Sequence, residues 1–377
     1  MAQQLYFSRD TKVYVAPLAA DGVTEQGVWE IPVLDGFSFS QASNSSEVTL
    51  SEMESTTGVS RRGRRMFNDS LAPAEWSFST YIRPFISEGS GTGGDADDAL
   101  RHHAVEEVLW ALMTGPAVYS AFGFTNQVVP GLTNSTIDFS ESNKSTLGIA
   151  NIYFVLGNAS QKYYKISKAV VNEASIDFDI DGIAMINWSG MGSEIIESTQ
   201  PTRTVYEAIN STGNFIRNRL TQVAIAPNLS ATGQSGLESS YSLTLTGGNI
   251  TITNNISFLT PEELGIVNRP IGHVTGTRSV SGSMTCYLSL DTAATNNSSD
   301  FWADIKALSN VITNDFGLTF SIGGVSGLPK LVVAMPHCHV DIPTHSIEDV
   351  ISLETTFNAL PTTIDVTDEA TLTYVGV

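Results

Sequence analysis

Most of the chain alternates apolar and polar residues with a period of two, and many of the apolar residues are β-branched or aromatic. This pattern predicts strands that have one buried and one exposed face. The clearest segments are residues 12–17, 36–40, 76–82, 152–156, 242–246, 280–288, 318–322, 331–335 and 371–375. Ser, Thr, Asn and Gly fill the connections between them, as expected of turns and loops. A mainly β fold is therefore predicted.

Two segments follow a helical period instead. Apolar residues recur on one face of 104–114 and of 300–308. Gly115 is placed to end the first helix, and Ser299 is placed to cap the start of the second. Two further segments lack strong periodicity. The Gly-rich, acidic stretch 88–98 is predicted to be mobile, and residues 199–237 are predicted to connect two halves of the chain.

The two halves carry the same features in the same order. Each has an alternating strand, a long polar segment that contains arginine, a strand ending near a tyrosine, a helix, and two strands joined by an acidic turn. The match extends to single positions: Ile180, Asp181, Ile183 and Ile186 stand 167 residues before Ile347, Glu348, Val350 and Leu353. Such a repeat predicts two similar domains. We expect residues 1–198 and 238–377 to form them, each a β-sandwich or small barrel with one flanking α-helix.

This ordered set resembles the tail tube proteins of tailed bacteriophages. The phrases that carry the resemblance are VLDGFSFS at 33–40, SGSMTCYL at 281–288 and HSIEDVI at 345–351, and the resemblance runs from Tyr6 to about Leu360. It implies tandem tube domains whose inner sheets join into a barrel around a lumen. Rings of six domains would stack into a tube that conducts the genome during ejection. Some tubes of this kind carry a doubled domain and close as trimers, which fits the repeat.

The resemblance also implies the partners and the location. The chain would assemble with itself and, at the tube ends, with other tail proteins, while DNA passes through without specific binding. It would reside in the tail of the virion after synthesis in the host cytoplasm. The N-terminus lacks signal-peptide features, and no stretch approaches the roughly 18 apolar residues of a membrane helix, so no membrane span is expected.

Charge agrees with this reading. Asp and Glu outnumber Lys and Arg by 39 to 19, for a formal net charge of −20. Binding nucleic acid requires clustered Lys and Arg side chains, whereas an acidic surface repels phosphate groups. Asp177, Asp179 and Asp181 alternate along a predicted strand and would form an acidic stripe that is either solvated or lumenal. Calcium is a weaker interpretation of the stripe, because the EF-hand loop pattern is absent.

Arginines form one dense cluster, in the sequence SRRGRR at 60–65. It is interpreted as a loop that forms salt bridges between subunits, with a nucleic-acid patch and a solvated loop as alternatives. The arginine-bearing segment of the second half supplies two more inter-subunit candidates. The candidates are Arg61, Arg62, Arg64, Arg65, Arg269 and Arg278.

Catalytic and metal motifs are weak throughout. His337 and His339 would share one strand face while Cys338 points to the other, which splits a possible metal site. His102 and His103 are predicted to lie at the surface. No nucleophile motif, phosphate loop or dinucleotide fingerprint is present, so neither an enzyme nor a cofactor is expected. The alternatives that remain are another virion component, such as a capsid decoration or baseplate protein, and a carbohydrate-binding β-sandwich adhesin.

Overall fold

The structure, a computed structural model, describes most of the chain. The described residues are 5–50, 63–87, 100–120, 123–124, 127–139, 146–157, 160–201, 205–206, 213–228, 237–264, 266–289, 296–308, 314–326 and 328–376.

Strands dominate the first half. They are β1 (Lys12–Pro17), β2 (Val28–Ile31), β3 (Ser38–Ser40), β4 (Ser43–Leu50), β5 (Gly63–Leu71), β6 (Ala74–Tyr81), β7 (Pro84–Ile86), β8 (His102–Ala104), β9 (Tyr119–Ser120), β10 (Gly123–Phe124), β11 (Val128–Pro130), β12 (Ser135–Asp138), β13 (Ala150–Leu156), β14 (Lys162–Asp179), β15 (Met185–Gly192), β16 (Glu194–Ser198) and β17 (Val205–Tyr206). One α-helix, α1 (Glu107–Thr114), lies between β8 and β9.

The second half repeats this plan with fewer elements. Its strands are β18 (Gln222–Pro227), β19 (Tyr241–Leu243), β20 (Leu245–Thr253), β21 (Ser257–Leu259), β22 (Gly272–Val274), β23 (Ser279–Tyr287), β24 (Phe316–Ile322), β25 (Lys330–Val340), β26 (Thr344–Ser346), β27 (Ser352–Ala359) and β28 (Thr371–Val375). Its α-helix is α2 (Ser298–Leu308). Short 3-10 turns occur at Ser8–Asp10 and Asn218–Leu220. The mainly β fold is confirmed.

One sheet runs through both halves and is called here the inner sheet. Its order is β3, β6, β15, β14, β20, β23, β27 and β26, with every neighbouring pair antiparallel. The halves meet where β14 pairs with β20, from Glu173 opposite Thr253 to Asp179 opposite Gly247. This pairing is called the internal junction.

A second layer packs behind the inner sheet in each half. In the first half the order is β16, β14, β13, β1 and β2. In the second half it is β28, β25, β24, β18 and β19. The long strands β14 and β25 take part in both layers, so each half is a two-layered sandwich held together by one continuous strand.

The two halves therefore share their strand order and much of their register. Val13 of β1 faces Phe154 of β13, just as Val223 of β18 faces Phe320 of β24. Even an irregularity is repeated. In the first half, the pairing of β14 with β15 shifts by one residue after Val171. In the second half, β27 pairs first with β25 and then with β26, and its register also shifts by one residue between these two strands. A β-bulge of this kind re-aims the following residues.

Side-chain sizes in the core are exchanged between equivalent positions. In the first half Trp76 lies opposite Gly190, and in the second half Gly282 lies opposite Phe357. A Cβ at Gly190 would come within 2.5 Å of the Trp76 ring, and one at Gly282 within 2.5 Å of the Phe357 ring. Each glycine thus makes room for the aromatic ring across from it, which keeps the packing dense in both halves.

The apolar core continues across the internal junction. The ring of Phe178 in β14 lies 5.5 Å from that of Phe320 in the second half. Trp110 of α1 packs on Trp188 at 4.7 Å and donates a hydrogen bond to the hydroxyl of Tyr374 in β28. Aromatic pairs at these distances stabilise the contact beyond the area they bury. The two halves are therefore packed together as well as paired by hydrogen bonds.

Several predicted elements differ in detail from the observed ones. The first helix begins at Glu107 rather than at 104, because His102–Ala104 pair as a strand with Pro84–Ile86. Strand β18 lies within the predicted connection 199–237, where it pairs with β24 and β19. The predicted mobile stretch 88–98 lies outside the described residues.

Candidate functional surface

One face of the inner sheet packs on the core, and the other carries short polar side chains. Burial alternates residue by residue along Ala74–Tyr81 and Met185–Gly192, because successive side chains of a strand point to opposite faces. The second face is called the polar face. Most of its residues are Ser38, Ser40, Glu75, Ser77, Ser79, Glu173, Ser175, Asp177, Asp179, Asn187, Ser189, Asn249, Thr251, Thr253, Ser281, Ser283, Thr285, Glu354, Thr356 and Asn358.

The charged side chains on the strand segments of the polar face are all carboxylates. None of its strand segments, 38–40, 74–81, 173–179, 185–192, 245–253, 279–287 and 352–359, contains a lysine or an arginine. Its carboxylates are Glu75, Glu173, Asp177, Asp179 and Glu354. A surface with this composition repels phosphate groups and offers them no cation to bind.

Hydrogen bonds between neighbouring strands hold many of these polar groups flat against the sheet. The hydroxyl of Ser79 donates to Asn187 Oδ1 at 2.6 Å, and Asn187 Nδ2 donates to Asp177 Oδ2 at 2.6 Å. Across the internal junction the hydroxyl of Thr251 donates to that of Ser175 at 3.2 Å. Cross-strand pairs of this kind stabilise a sheet. They also leave fewer free donors to hold a passing ligand.

The predicted acidic stripe is only partly correct. Asp177 and Asp179 share the polar face, as predicted. Strand β14 ends at Asp179, however, so Asp181 lies in the exposed turn that follows, with its carboxylate 3.9 Å from the guanidinium of Arg219. The turn breaks the alternation on which the three-residue stripe was based.

The arginine cluster belongs to a two-stranded hairpin formed by β4 and β5, called the first hairpin. Arg64 lies 3.6 Å from Glu47 across the hairpin, and the guanidinium of Arg65 lies over the ring of Phe67 at 5.8 Å. Arg61 and Arg62 lie outside the described residues. The Arg64 and Glu47 side chains are well exposed, so this ion pair contributes little stability by itself.

The other two arginine candidates differ from each other. Arg269 is mostly exposed and reaches Glu194 of the first half at 3.0 Å. Arg278 is buried: it pairs with Glu369 at 2.6 Å, donates to the carbonyl of Thr367, and stacks over Phe139 at 4.8 Å. Removing either partner of a buried ion pair strongly destabilises the folded chain. The structure therefore places Arg278 in an intrachain contact between the halves.

Comparison with known proteins identifies the family of the chain that carries this surface. The family model of the phage tail tube protein matches residues 33–359. The chain belongs to the phage tail tube protein family. The tail tube protein pb6 of Escherichia phage T5 is 30% identical to it over 380 residues, which cover 98% of this chain and 76% of that relative.

Membership of the tail tube family assigns a structural role in the tail of the virion. A tail tube protein assembles with itself and with other tail proteins, and a structural family of this kind argues for a non-catalytic role. The capsid decoration, baseplate and adhesin alternatives are therefore set aside. Within the described residues no helix is long and apolar enough to cross a membrane.

This tail tube chain contains a buried ionisable cluster that the sequence pattern did not predict. His102 and His103, predicted to lie at the surface, are both buried. His103 Nδ1 lies 2.9 Å from Glu107 Oε2, and the backbone N–H of Gly376 donates to His102 Nδ1 at 2.9 Å. Burial raises the pKa of Glu106 to about 7. The hydrogen bond from Gly376 ties the segment that follows β28 to the first half, across 274 residues that no local pattern could pair.

The His337, Cys338 and His339 strand is arranged as predicted. Cys338 is fully buried while the two histidines point the other way, His337 to Asp315 at 3.0 Å and His339 toward Asp341 at 3.7 Å. Burial raises the pKa of the Cys338 thiol to about 12. Among the described residues no group of three or more ligand side chains could hold a metal ion.

Proposed function

We propose that the polar face lines the lumen of a tail tube and that the genome passes along it during ejection. The observation that carries the proposal is the absence of Lys and Arg from every described strand segment of that face, beside five carboxylates. In an acidic lumen the duplex is repelled toward the axis and no phosphate is held. DNA then passes without specific binding, and the protein acts as a conduit with neither catalysis nor a cofactor.

The ring is proposed to contain three chains. The two halves have the same strand order, so each can serve as one tube domain, and three chains supply six domains. The second domain is proposed to begin at β18 rather than at residue 238, because Gln222–Pro227 pairs with β24 in the same register in which Lys12–Pro17 pairs with β13. The sequences KVYVAP and QVAIAP match along these two strands.

The rings are proposed to stack through hairpins at one end of the sheet. The first hairpin and the second hairpin (β21 and β22) leave the inner sheet at the same end and are joined at Ser70 and Asn268. Around them lie exposed apolar side chains and Arg64 and Arg65. These exposed apolar residues are Val48, Met66, Phe67, Leu259, Leu264, Ile266, Val267 and Ile271. Clusters of exposed apolar side chains mark protein interaction sites.

Charge reversal on the polar face tests the lumen directly. Glu75→Lys combined with Glu354→Lys places two cations per chain on the proposed wall, and Glu75→Gln with Glu354→Gln is the matched neutral control. We expect both variants to form normal tubes, while the lysine variant releases DNA more slowly from triggered virions, most of all at low salt. Equal release rates for the lysine variant, the glutamine variant and the unchanged protein would mean that this face does not line the path of the DNA.

A further inference from the structure

The C-terminal strand β28 is shared by the two halves. On one edge it pairs with β25 of the second half, where Val375 lies opposite Lys330. On its other edge it pairs with β12 of the first half, where Tyr374 lies opposite Ser135. The equivalent strand of the first half, β16, pairs with β14 and with no other described strand. Strand β28 therefore joins β12 to the second layer of the second half.

Side chains of the first half also bind this end of the chain. The hydroxyl of Tyr374 accepts a hydrogen bond from Trp110 Nε1 at 2.7 Å, and both residues are buried. One residue beyond the strand, the backbone N–H of Gly376 donates to His102 Nδ1 at 2.9 Å. A Cβ at Gly376 would lie only 2.8 Å from the carbonyl carbon of Phe85, so the chain passes close to β7. Residues 371–376 are called here the C-terminal latch.

The hydrogen bond from Gly376 sets the protonation state of His102. A backbone N–H only donates, so Nδ1 must offer a lone pair, and the ring is neutral with its proton on Nε2. The ring is buried and also forms a hydrogen bond with the backbone of Leu132, which fixes its orientation. A proton on Nδ1 would place one donor against another inside the protein, where water cannot separate them.

We infer that the C-terminal latch is a proton-sensitive fastening between the halves, closed while His102 is neutral and opened when His102 takes up a proton at Nδ1. Opening would separate β28 from β12 and leave the two cores folded. The inference concerns the subunit itself and does not depend on the proposed lumen or ring.

The direction of the pH response follows from the site. Burial, with a smaller contribution from His103, lowers the pKa of His102 from its ordinary 6.5 in the closed state. The open state binds the proton more readily, so the latch is most stable above about pH 6.5 and weakens as the pH falls below that value. Glu106 responds in the opposite direction, because burial raises its pKa to about 7 and it keeps its proton in acid.

Other ionisable groups surround the site and must be separated from His102 in any test. Arg101 precedes the ring and donates to the carbonyl of Pro130, and His103 follows it and lies 2.9 Å from Glu107. The titratable and charged groups on the elements around the ring are Arg83 before β7, Arg101 and His103 on β8, Glu106 and Glu107 at the start of α1, Asp138 on β12 and Tyr374 on β28.

Hydrogen–deuterium exchange of the full-length subunit, followed by mass spectrometry, tests the latch. Exchange is measured at pH 7.5 and pH 5 and corrected for the intrinsic effect of pH on amide exchange. We expect protection of peptides that contain residues 371–376 and 135–138 to fall about tenfold at pH 5, as expected for one group whose pKa differs by a unit or more between the two states. Peptides from Phe316–Ile322, in the core of the second half, should keep their protection.

A matched pair of variants assigns the response to one ring. His102→Asn keeps an acceptor near the position of Nδ1 but cannot take up a proton, so the change between the two pH values should shrink to less than twofold. His345→Asn, at an exposed histidine on β26, should keep the full response.

Three results would overturn the latch. They are an equal response of His102→Asn and the unchanged protein, unchanged protection of residues 371–376 at pH 5, and an equal loss of protection in every peptide, which would mean global unfolding. The last two are read from the unchanged protein and hold even if His102→Asn does not fold. Tube formation is not part of the readout, so failure of the proposed function would be seen separately.

Discussion

The internal junction and the two outer edges of the inner sheet, β3 and β26, are formed by equivalent strands that differ in whether they are paired. At the junction, β14 and β20 are paired and Phe178 is covered by Phe320. At the edges, equivalent residues of β26 and β3 have no described partner, and Ile347 is exposed. A ring of the proposed kind would bring such edges together, so we expect the same packing to serve first within a chain during folding and then between chains during assembly.

The same substitution should therefore act on folding at one site and on assembly at the other. Residues at the junction contribute to the stability of the isolated subunit. Their equivalents at the edges contribute only when a neighbour is present, since an exposed side chain buries nothing in the free chain.

The largest expected effect is on assembly. In a ring of the proposed kind, Ile347→Asp would place a carboxylate in the contact between neighbouring chains, where it would lose its hydration without a partner. We expect no tubes by negative-stain microscopy and sedimentation, with an unchanged circular dichroism spectrum of the subunit. Ile364→Asp, at a position 92% exposed in a separate loop, is the control and should assemble normally. Normal tubes from the Ile347 variant would separate this residue from ring closure.

Stability should respond at the junction instead. Phe178→Ala removes a buried ring from the shared core and should lower the free energy of unfolding of the subunit by about 3–5 kcal/mol. Ile347→Ala, at the equivalent open position, should change it by less than about 0.5 kcal/mol. Denaturant unfolding below the assembly concentration measures both. Similar losses for the two variants would contradict the comparison.

The stability of the folded chain should also depend on pH through Glu106, which is buried. Its folded-state pKa, raised by burial to about 7 from an ordinary 4.5, means that the folded chain holds a proton that the unfolded chain has lost. The resulting stability is complete below about pH 4.5 and is lost as the pH rises through about 7, by roughly 3 kcal/mol in total. Glu106→Gln should remove this part of the pH dependence. Unfolding titrations of both proteins at pH 5 and pH 8 measure the difference; equal slopes would show that Glu106 does not titrate in this range.

The smallest expected effect concerns stacking. Arg64→Glu with Arg65→Glu reverses two exposed charges on the first hairpin without touching the core, and exposed ion pairs contribute at most about 1 kcal/mol each. We expect a folded subunit that needs about tenfold more protein for half-maximal assembly, measured by sedimentation. Arg9→Glu, another exposed arginine, serves as the control. If both reversals assemble like the unchanged protein, the hairpin arginines are only solvated.

Local pattern predicted much of this fold, because strands with one buried face repeat every second residue. The matched order of the two halves was also readable. Ile186 and Leu353, 167 residues apart, lie at equivalent positions, whereas the strand register makes Ile347 equivalent to Phe178 and not to Ile180. Strand β18 was overlooked, although its likeness to Lys12–Pro17 was a signal that could have found it.

Contacts between distant residues could not be predicted in this way. Arg278 meets Glu369 from 91 residues away, and Trp110 meets Tyr374 from 264. The sequence pattern assigned Arg278 to an inter-subunit loop, because nothing in its local sequence marks a guanidinium that will be buried. The polar face was hidden for a similar reason: its charge is visible only after the strand order joins segments from the whole chain.

Electron microscopy of assembled tubes, at a resolution that traces strands, tests the central claim most directly. We expect three chains per ring, six similar domains, and an inner sheet in which β26 of each chain pairs with β3 of the next as β14 pairs with β20. Six chains per ring, or a junction between chains that uses other strands, would contradict it.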